Sequence, residues 1–298
     1  MDPAFFGNAL FFSMILAHAL GFLDDLFDGG SGDGDGPTSE GARDYDPTLY
    51  GEEVLGTAGA DDMVNPTPLD GIGSAWFLGG GNDSLDASYD ADYVDAGSGN
   101  DTLEMRGGDD IVFAGDGDDS VDGGVGNDTI HGDAGNDSLV GNGGDDSIFG
   151  DAGDDVIEGG SGADHIDGGD GNDTLSGAYL GSTDTSSDTL IGGAGADQLW
   201  LSADDHGIGG ADDDFFALDG DLTGGAIAVE DFTPGSDSIA VYYTPALDSS
   251  GAAITPTLDV QTSTDGLSGE VFLDGVHIAT VTGGQSLSPS DIALIPTA

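Results

Sequence analysis

Aspartate recurs at every ninth residue from Asp83 to Asp173, through Asp92, Asp101, Asp110, Asp119, Asp128, Asp137, Asp146, Asp155 and Asp164, without a slip. Two residues after each stands an aliphatic: Leu85, Val94, Leu103, Val112, Val121, Ile130, Leu139, Ile148, Ile157, Ile166 and Leu175. Two residues before each stands glycine, except at Asp90. Tracks locked at one period mark a repeat architecture, in which a unit buries its apolar side only by stacking on its neighbours. Within each unit, six residues rich in Gly, Asn and Asp supply the positive φ angles of a tight turn. The next three, centred on the aliphatic, form a short strand. Two units complete one coil, so the strands stack in two parallel sheets with the aliphatic track facing inward between them.

The edges of the array are looser. A unit around Asp61 (GTAGADDMV) is separated from the run by Asn65 to Phe77, and Gly177 to Ser187 interrupt it before units marked by Asp188 and Asp197. The stretch LSADDHGIGGADDDFFAL contains Asp214, 17 residues after Asp197 rather than 18, and reads as a fading or bulged last coil. From Phe215 the pattern becomes alternating strands: AIAVEDFT, a Pro234-Gly235 turn, DSIAVYYT, then GEVFLDG and VHIATVT about an Asp274-Gly275 hairpin. The expected organisation is a hydrophobic N-terminal helix over 1–27, an acidic Gly-rich linker over 28–50, the repeat roll over 51–214 and a C-terminal β cap over 215–298.

Charge narrows the partners. Among 298 residues there are 59 Asp and Glu against 2 Lys and Arg, a formal charge of -57. Such a polyanion is repelled by nucleic acid and by anionic membrane surfaces, and its natural counterions are hard cations held through oxygen. No nucleic-acid partner is expected. Cysteine is absent, so no disulfide or thiolate site supplies cross-links. Hydrophobic residues still make up 37% of the chain, and their fixed spacing argues against a disordered, solvating polymer. Residues 4–23 are apolar all round and uncharged, about the length of a bilayer span. Three readings stand for them: a retained membrane or assembly helix, a signal peptide ending near Ala17, His18 and Ala19 although its basic region is replaced by Asp2, or a helix packed on the globular part.

The unit reads G-G-x-G-x-D-x-U-x, where U is the aliphatic, as in GGVGNDTIH (123–131), GGSGADHID (159–167) and GGDGNDTLS (168–176). In this it resembles the RTX nonapeptide family. The resemblance implies a right-handed parallel β-roll with Ca²⁺ between the turns of units n and n+2, ligated by both aspartates and by turn carbonyls. Carried onto this chain, the metal carboxylates are Asp61, Asp83, Asp92, Asp101, Asp110, Asp119, Asp128, Asp137, Asp146, Asp155, Asp164, Asp173, Asp188 and Asp197. The carbonyls are those of Gly97, Gly99, Gly108, Gly115, Gly117, Gly124, Gly126, Asp133, Gly135, Asn142, Gly144, Asp151, Gly153, Gly160, Gly162, Gly169 and Gly171. Asp101 would pair with Asp119, Asp110 with Asp128, and so on to Asp155 with Asp173, giving two files of about ten ions in all, each with six to eight oxygens. The segment VEDFTPGSDSIAV is similar to the one that comes after the RTX repeats of serralysin-type secreted proteins. That likeness implies type I secretion through an uncleaved signal in the tail SLSPSDIALIPTA.

Departures from the motif mark weak sites. Ser88 replaces the second-position Gly, Asp90 the fourth, and Arg106 puts a cation in a turn, so ions there are expected to be weak or missing. Asp133, Asn142 and Asp151 are tolerated at the second position because Asn and Asp reach left-handed backbone.

Other chemistries fare worse. The histidines His18, His131, His165, His206 and His277 form no H-E-x-x-H, and no G-x-S-x-G is present, which argues against a zinc protease and an α/β-hydrolase. His131 and His165 read as strand surface residues. Pairs such as Asp109-Asp110, Asp118-Asp119 and Asp154-Asp155 recur with each coil, which favours metal turns over acid-base dyads. Glycine turns without lysine amid dense negative charge make a poor phosphate cradle. Trp76, Trp200, Phe215 and Phe216 are expected to cap the array. The chain therefore reads as a non-enzymatic, extracellular or cell-surface calcium protein with a structural, surface or assembly role. The alternative is a periplasmic accessory subunit anchored in a membrane, or in a larger complex, by residues 4–23.

Overall fold

The computed structural model describes residues 49–64, 71–178, 186–221, 224–284 and 286–297. The apolar segment 4–23 and the linker up to residue 48 lie outside the described residues. Among the described residues no helix is long and apolar enough to cross a membrane.

Short strands alternate between two sheets, as two units per coil require. One sheet takes Glu52–Thr57, Ser74–Gly79, Tyr93–Asp95, Ile111–Asp116, Thr129–Ala134, Ser147–Phe149, His165–Asp170, Thr189–Ala194, His206–Ala211 and Ile227–Glu230, all in parallel. The other takes Asp62–Val64, Ser84–Asp86, Thr102–Glu104, Ser120–Val125, Ser138–Gly143, Val156–Ser161, Thr174–Ser176, Gln198–Leu201, Phe215–Asp219, Ser238–Tyr243 and Ile292–Pro296, also parallel. The register locks like residues over like: Val94 on Val112, Leu139 on Ile157, Ile148 on Ile166.

The aliphatic track is the core. All eleven aliphatics from Leu85 to Leu175 are at most 2% exposed. Each contributes about 2 kcal/mol by leaving water. Because the unit offers one such residue per strand, the core is a single file on each sheet and stays thin. Trp76 and Phe216 widen it where the motif loosens. Trp200 points outward against Tyr242, with ring centroids 5.2 Å apart, and Phe215 is half-buried.

The two outer faces differ. On the first sheet Phe113, His131 and Phe149 occupy one row, and the imidazole is stacked between the phenyl rings at 4.9 and 4.6 Å. His165 meets Phe149 edge-on. Both histidines are strand surface residues. On the second sheet the corresponding row carries Asp86, Glu104, Asp122 and Glu158, with Val140 between the last two.

Parallel pairing runs on past Asp214. Phe215–Asp219, Ile227–Glu230 and Ser238–Tyr243 add to the two sheets, and Ile292–Pro296 closes the second one. Antiparallel pairing enters in a two-stranded piece, Ala246–Leu247 on Ala253–Ile254, and where Val276–Thr282 folds back on Ser268–Leu273, which in turn pairs with Leu258–Thr262. Asp274 and Gly275 make that hairpin turn at φ 51° and 83°.

Candidate metal-binding rows

Each repeat aspartate sits where the turn ends and the strand begins, so stacking coils stacks the carboxylates. Every one is then joined to the next coil by the same bond: the backbone N–H of one aspartate donates to Oδ1 of the aspartate one coil further on. Asp83 donates to Asp101 at 2.7 Å, Asp101 to Asp119 at 2.7 Å, Asp119 to Asp137 at 2.8 Å and Asp137 to Asp155 at 2.8 Å. On the opposite edge Asp92 donates to Asp110 at 2.6 Å, Asp110 to Asp128 at 2.8 Å and Asp128 to Asp146 at 2.8 Å. Asp61 joins the first row through Asp83, while Asp155, Asp173 and Asp197 extend it. Asp146, Asp164 and Asp188 extend the second. The structure thus places all fourteen sequence-predicted aspartates in two rows.

The second carboxylate oxygen behaves differently. Oδ2 of Asp83, Asp101, Asp110, Asp119, Asp128, Asp137, Asp146, Asp155, Asp173 and Asp197 is buried without a hydrogen-bond partner. Leaving a buried polar atom unpaired costs about 1–3 kcal/mol, so each of these oxygens weighs against the coil until a partner completes it. A cation between the turns would supply that partner.

Burial also makes the carboxylates reluctant to ionise. Desolvation pushes Asp110 up to about 9, Asp119 and Asp128 to about 7, and Asp101, Asp137, Asp155, Asp173 and Asp197 to about 6. The backbone N–H bond opposes the shift in each case, and neighbouring carboxylates in the row add to it.

The space beside Oδ2 is kept open by the first-position glycine. A Cβ on Gly123 would lie 2.7 Å from Oδ2 of Asp128 and 3.1 Å from the carbonyl oxygen of Gly141, one coil on. The same two partners face Gly132, Gly141, Gly150, Gly159 and Gly168 in their own coils. A carboxylate oxygen and a carbonyl oxygen converging on a point that a side chain would fill are the donor chemistry of a hard divalent cation. Among the described residues no three acidic or imidazole side chains converge on one point. A cation held here would draw the rest of its shell from backbone carbonyls and water.

Second-position residues carry left-handed backbone, including Asp133 at φ 67°, Asn142 at 71° and Asp151 at 67°. Their carbonyls also accept inter-coil bonds, as Asp133 does from Ala152 N–H at 2.9 Å. Fourth-position carbonyls face the fourth-position glycine of the next coil, where a Cβ on Gly99 would collide with Gly81 O. Arg106 adopts φ 69°, and its guanidinium turns outward onto the Asp86 carboxylate and over the Tyr89 ring, 5.6 Å from the centroid. The fifth-position residues build a separate ladder of reversed polarity. Asn136 N–H donates back to Asp118 at 3.0 Å and Asp154 N–H to Asn136 at 2.8 Å. Each adjacent acid pair is thus divided between a buried inner row and an exposed outer one.

Sequence reasoning missed two sets of residues. Asp205, Asp214 and Asp237 continue the rows beyond Asp197: Asp188 donates to Asp205 at 3.0 Å, Asp197 to Asp214 at 3.0 Å and Asp214 to Asp237 at 3.1 Å. The signal for Asp205 and Asp214 was the doubled 17-residue spacing, from Asp188 and from Asp197. The first-position glycine carbonyls were also missed, since only stacking reveals which carbonyl meets Oδ2.

Fold and site together define a parallel β-solenoid edged by ordered, half-satisfied carboxylates. Residues 77–103, 106–139, 140–175 and 182–216 each match the sequence model of the RTX calcium-binding nonapeptide repeat (4 copies). Over these residues the chain carries RTX calcium-binding nonapeptide repeats, and it is a calcium-binding repeat protein. A search of curated proteins found no match. Among solved structures, the chain is similar to the X-ray crystal structure of a hyperactive, Ca²⁺-dependent, β-helical antifreeze protein from an Antarctic bacterium. The identity is 18%, the TM-score is 0.33, and the match covers 74% of this chain and 90% of that one.

Proposed function

We propose that this is a secreted, non-enzymatic protein whose solenoid stays unfolded where calcium is scarce and becomes a rigid rod outside the cell, where it serves a structural, surface or assembly role. The observation that carries the reading is the ten buried Oδ2 atoms without hydrogen-bond partners along the two rows. Ions supply positive charge between carboxylates that otherwise repel, and the chain supplies the rest. Asp101, Asp119, Asp137, Asp155 and Asp173 on one edge, and Asp110, Asp128, Asp146 and Asp164 on the other, present ionised oxygens, and the glycine turns present carbonyls at fixed spacing.

Two features support the wider role. The described residues hold only Arg106 as a strong base, and it is engaged by Asp86, so the surface repels polyanions and attracts cations. The C-terminal segment is ordered, with Ile292–Pro296 paired on Ser238–Tyr243. A type I secretion signal in that tail would therefore be read before folding, in the low-calcium compartment. Residues 4–23 provide for attachment to a membrane or to other copies.

Cell fractionation with an intact N-terminus tests the assignment. Recovery of the full chain from the medium or a filamentous extracellular fraction is the expected result. Extraction only by detergent would replace it with the anchored, periplasmic reading, and retention in the cytosol would contradict both.

A further inference from the structure

Not every aspartate in the two rows is open. In four turns a serine or threonine closes the second oxygen. Asp61 Oδ2 accepts from Thr57 N–H at 2.7 Å and Oγ1 at 2.9 Å, and Asp92 Oδ2 from Ser88 N–H at 3.0 Å and Oγ at 2.8 Å. Asp205 Oδ2 accepts from Ser202 N–H at 2.6 Å and Oγ at 3.0 Å, and Asp237 Oδ2 from Thr233 N–H at 2.6 Å. Asp92 and Asp205 are as buried as their open counterparts, at 0% and 1% exposed, so solvent does not account for the difference.

The backbone divides the same way. Four residues before every orphaned aspartate stands a residue in the left-handed region: Gly97 at φ 96° before Asp101, Gly124 at 95° before Asp128, Asn142 at 71° before Asp146. Thr57, Ser88 and Thr233, four residues before their aspartates, and Ser202, three before Asp205, stand outside that region. Without the left-handed turn the local N–H swings onto the carboxylate and the hydroxyl joins it, the hydrogen bonding of an Asx/ST turn.

Their places in the fold are not random. The first row begins at Asp61 and runs through Asp83 and Asp214 to Asp237. The second begins at Asp92, whose Oδ1 takes Ser74 N–H at 2.6 Å, and runs to Asp205. Each row therefore starts and finishes on a self-closed aspartate, and the ten open ones lie between, together with Asp164, Asp188 and Asp214.

We propose that the four pairs Thr57–Asp61, Ser88–Asp92, Ser202–Asp205 and Thr233–Asp237 are cation-free terminators of the two metal rows. An end carboxylate has a neighbouring aspartate turn of its row on one side only, so a cation there would find half a cage. An N–H, with a hydroxyl in three of the four, satisfies the oxygen instead and stops the row without an exposed, weakly held ion. The proposal rests on the calcium reading of the interior turns.

The test is the calcium-to-protein ratio of the full chain, by atomic emission after equilibrium dialysis at fixed free calcium, with circular dichroism to confirm folding. Asp92→Asn and Asp205→Asn are expected to keep the wild-type ratio, while Asp128→Asn loses at least one ion. Ser88→Gly, which opens Asp92 and restores the motif residue, is expected to raise the ratio by one. A folded Asp92→Asn that loses as many ions as Asp128→Asn, or a folded Ser88→Gly with an unchanged ratio, overturns the proposal. If Asp128→Asn fails to fold, the Asp92 and Ser88 variants still decide. Wild-type protein that binds no calcium would defeat the calcium reading itself, an outcome distinct from misplaced row ends.

Discussion

A buried aspartate in this chain does two jobs with two oxygens: Oδ1 fastens one coil to the previous one, and Oδ2 stays free for a cation. Its neighbour in sequence does only the first, through an exposed bond of opposite direction, and adjacent acids can be told apart by substitution. Asp119→Ala removes the acceptor of a buried N–H and an open oxygen, and is expected to lower stability by at least about 1–3 kcal/mol in saturating calcium. Asp118→Ala removes only the exposed bond to Asn136 N–H and is expected to cost about 1 kcal/mol or less. Thermal melts of the two variants check this. Gly123→Ala places a methyl against Asp128 Oδ2 and Gly141 O, and is expected to weaken calcium binding and cost about 1–3 kcal/mol. Titration gives a further sign. The row aspartates have folded pKa values raised above 3.8, so without calcium the roll is most favoured below about pH 4, where both states are protonated. That stability is lost as pH rises through about 6 and 7, and further toward 9 at Asp110. With calcium the order reverses, because ligands must be deprotonated to bind. Far-UV circular dichroism in EGTA from pH 3 to 8 is expected to show strand content falling with pH, and the same scan in calcium to show it rising.

At the scale of the element, the coil is the unit of design. Its strands and core were legible from sequence because the nine-residue period fixes which residue faces inward; Leu85 to Leu175 occupy the core as the aliphatic track predicts. The ends were less legible, because parallel pairing is made by backbone and needs no glycine motif. Phe215–Asp219 pairs on Gln198–Leu201 although the turn consensus has faded. Connections also vary without breaking register: successive row members are 18 residues apart in the regular array, 24 across the interruption and 17 after it. Asp205 was hidden for that reason. The weakness expected at Ser88 has a cause that sequence could not supply, since it depends on the turn's φ and on the hydroxyl that then reaches Asp92. Deleting one whole coil, residues 120–137, is expected to leave a folded, shorter solenoid. Deleting a half coil, 129–137, sends every later strand to the opposite sheet, divides the Phe113–His131–Phe149 stack and separates the ends from their partners. The half-coil variant should melt well below the whole-coil one in the same calcium buffer.

The whole molecule is a polyanion with formal charge -57 folded around a thin core, and neither disulfides nor basic side chains offset the repulsion. Divalent ions between the turns are the cross-link that remains, so folding and metal binding should be one event. The self-closed aspartates at the row ends set where that cross-linking stops. Far-UV circular dichroism of the full chain at neutral pH, first in EGTA and then through a calcium titration, tests this most directly. The account predicts a largely unstructured spectrum in the chelator and a cooperative rise of strand signal on adding calcium, not reproduced by magnesium. Strand signal already present in EGTA at neutral pH and unchanged by calcium would contradict it.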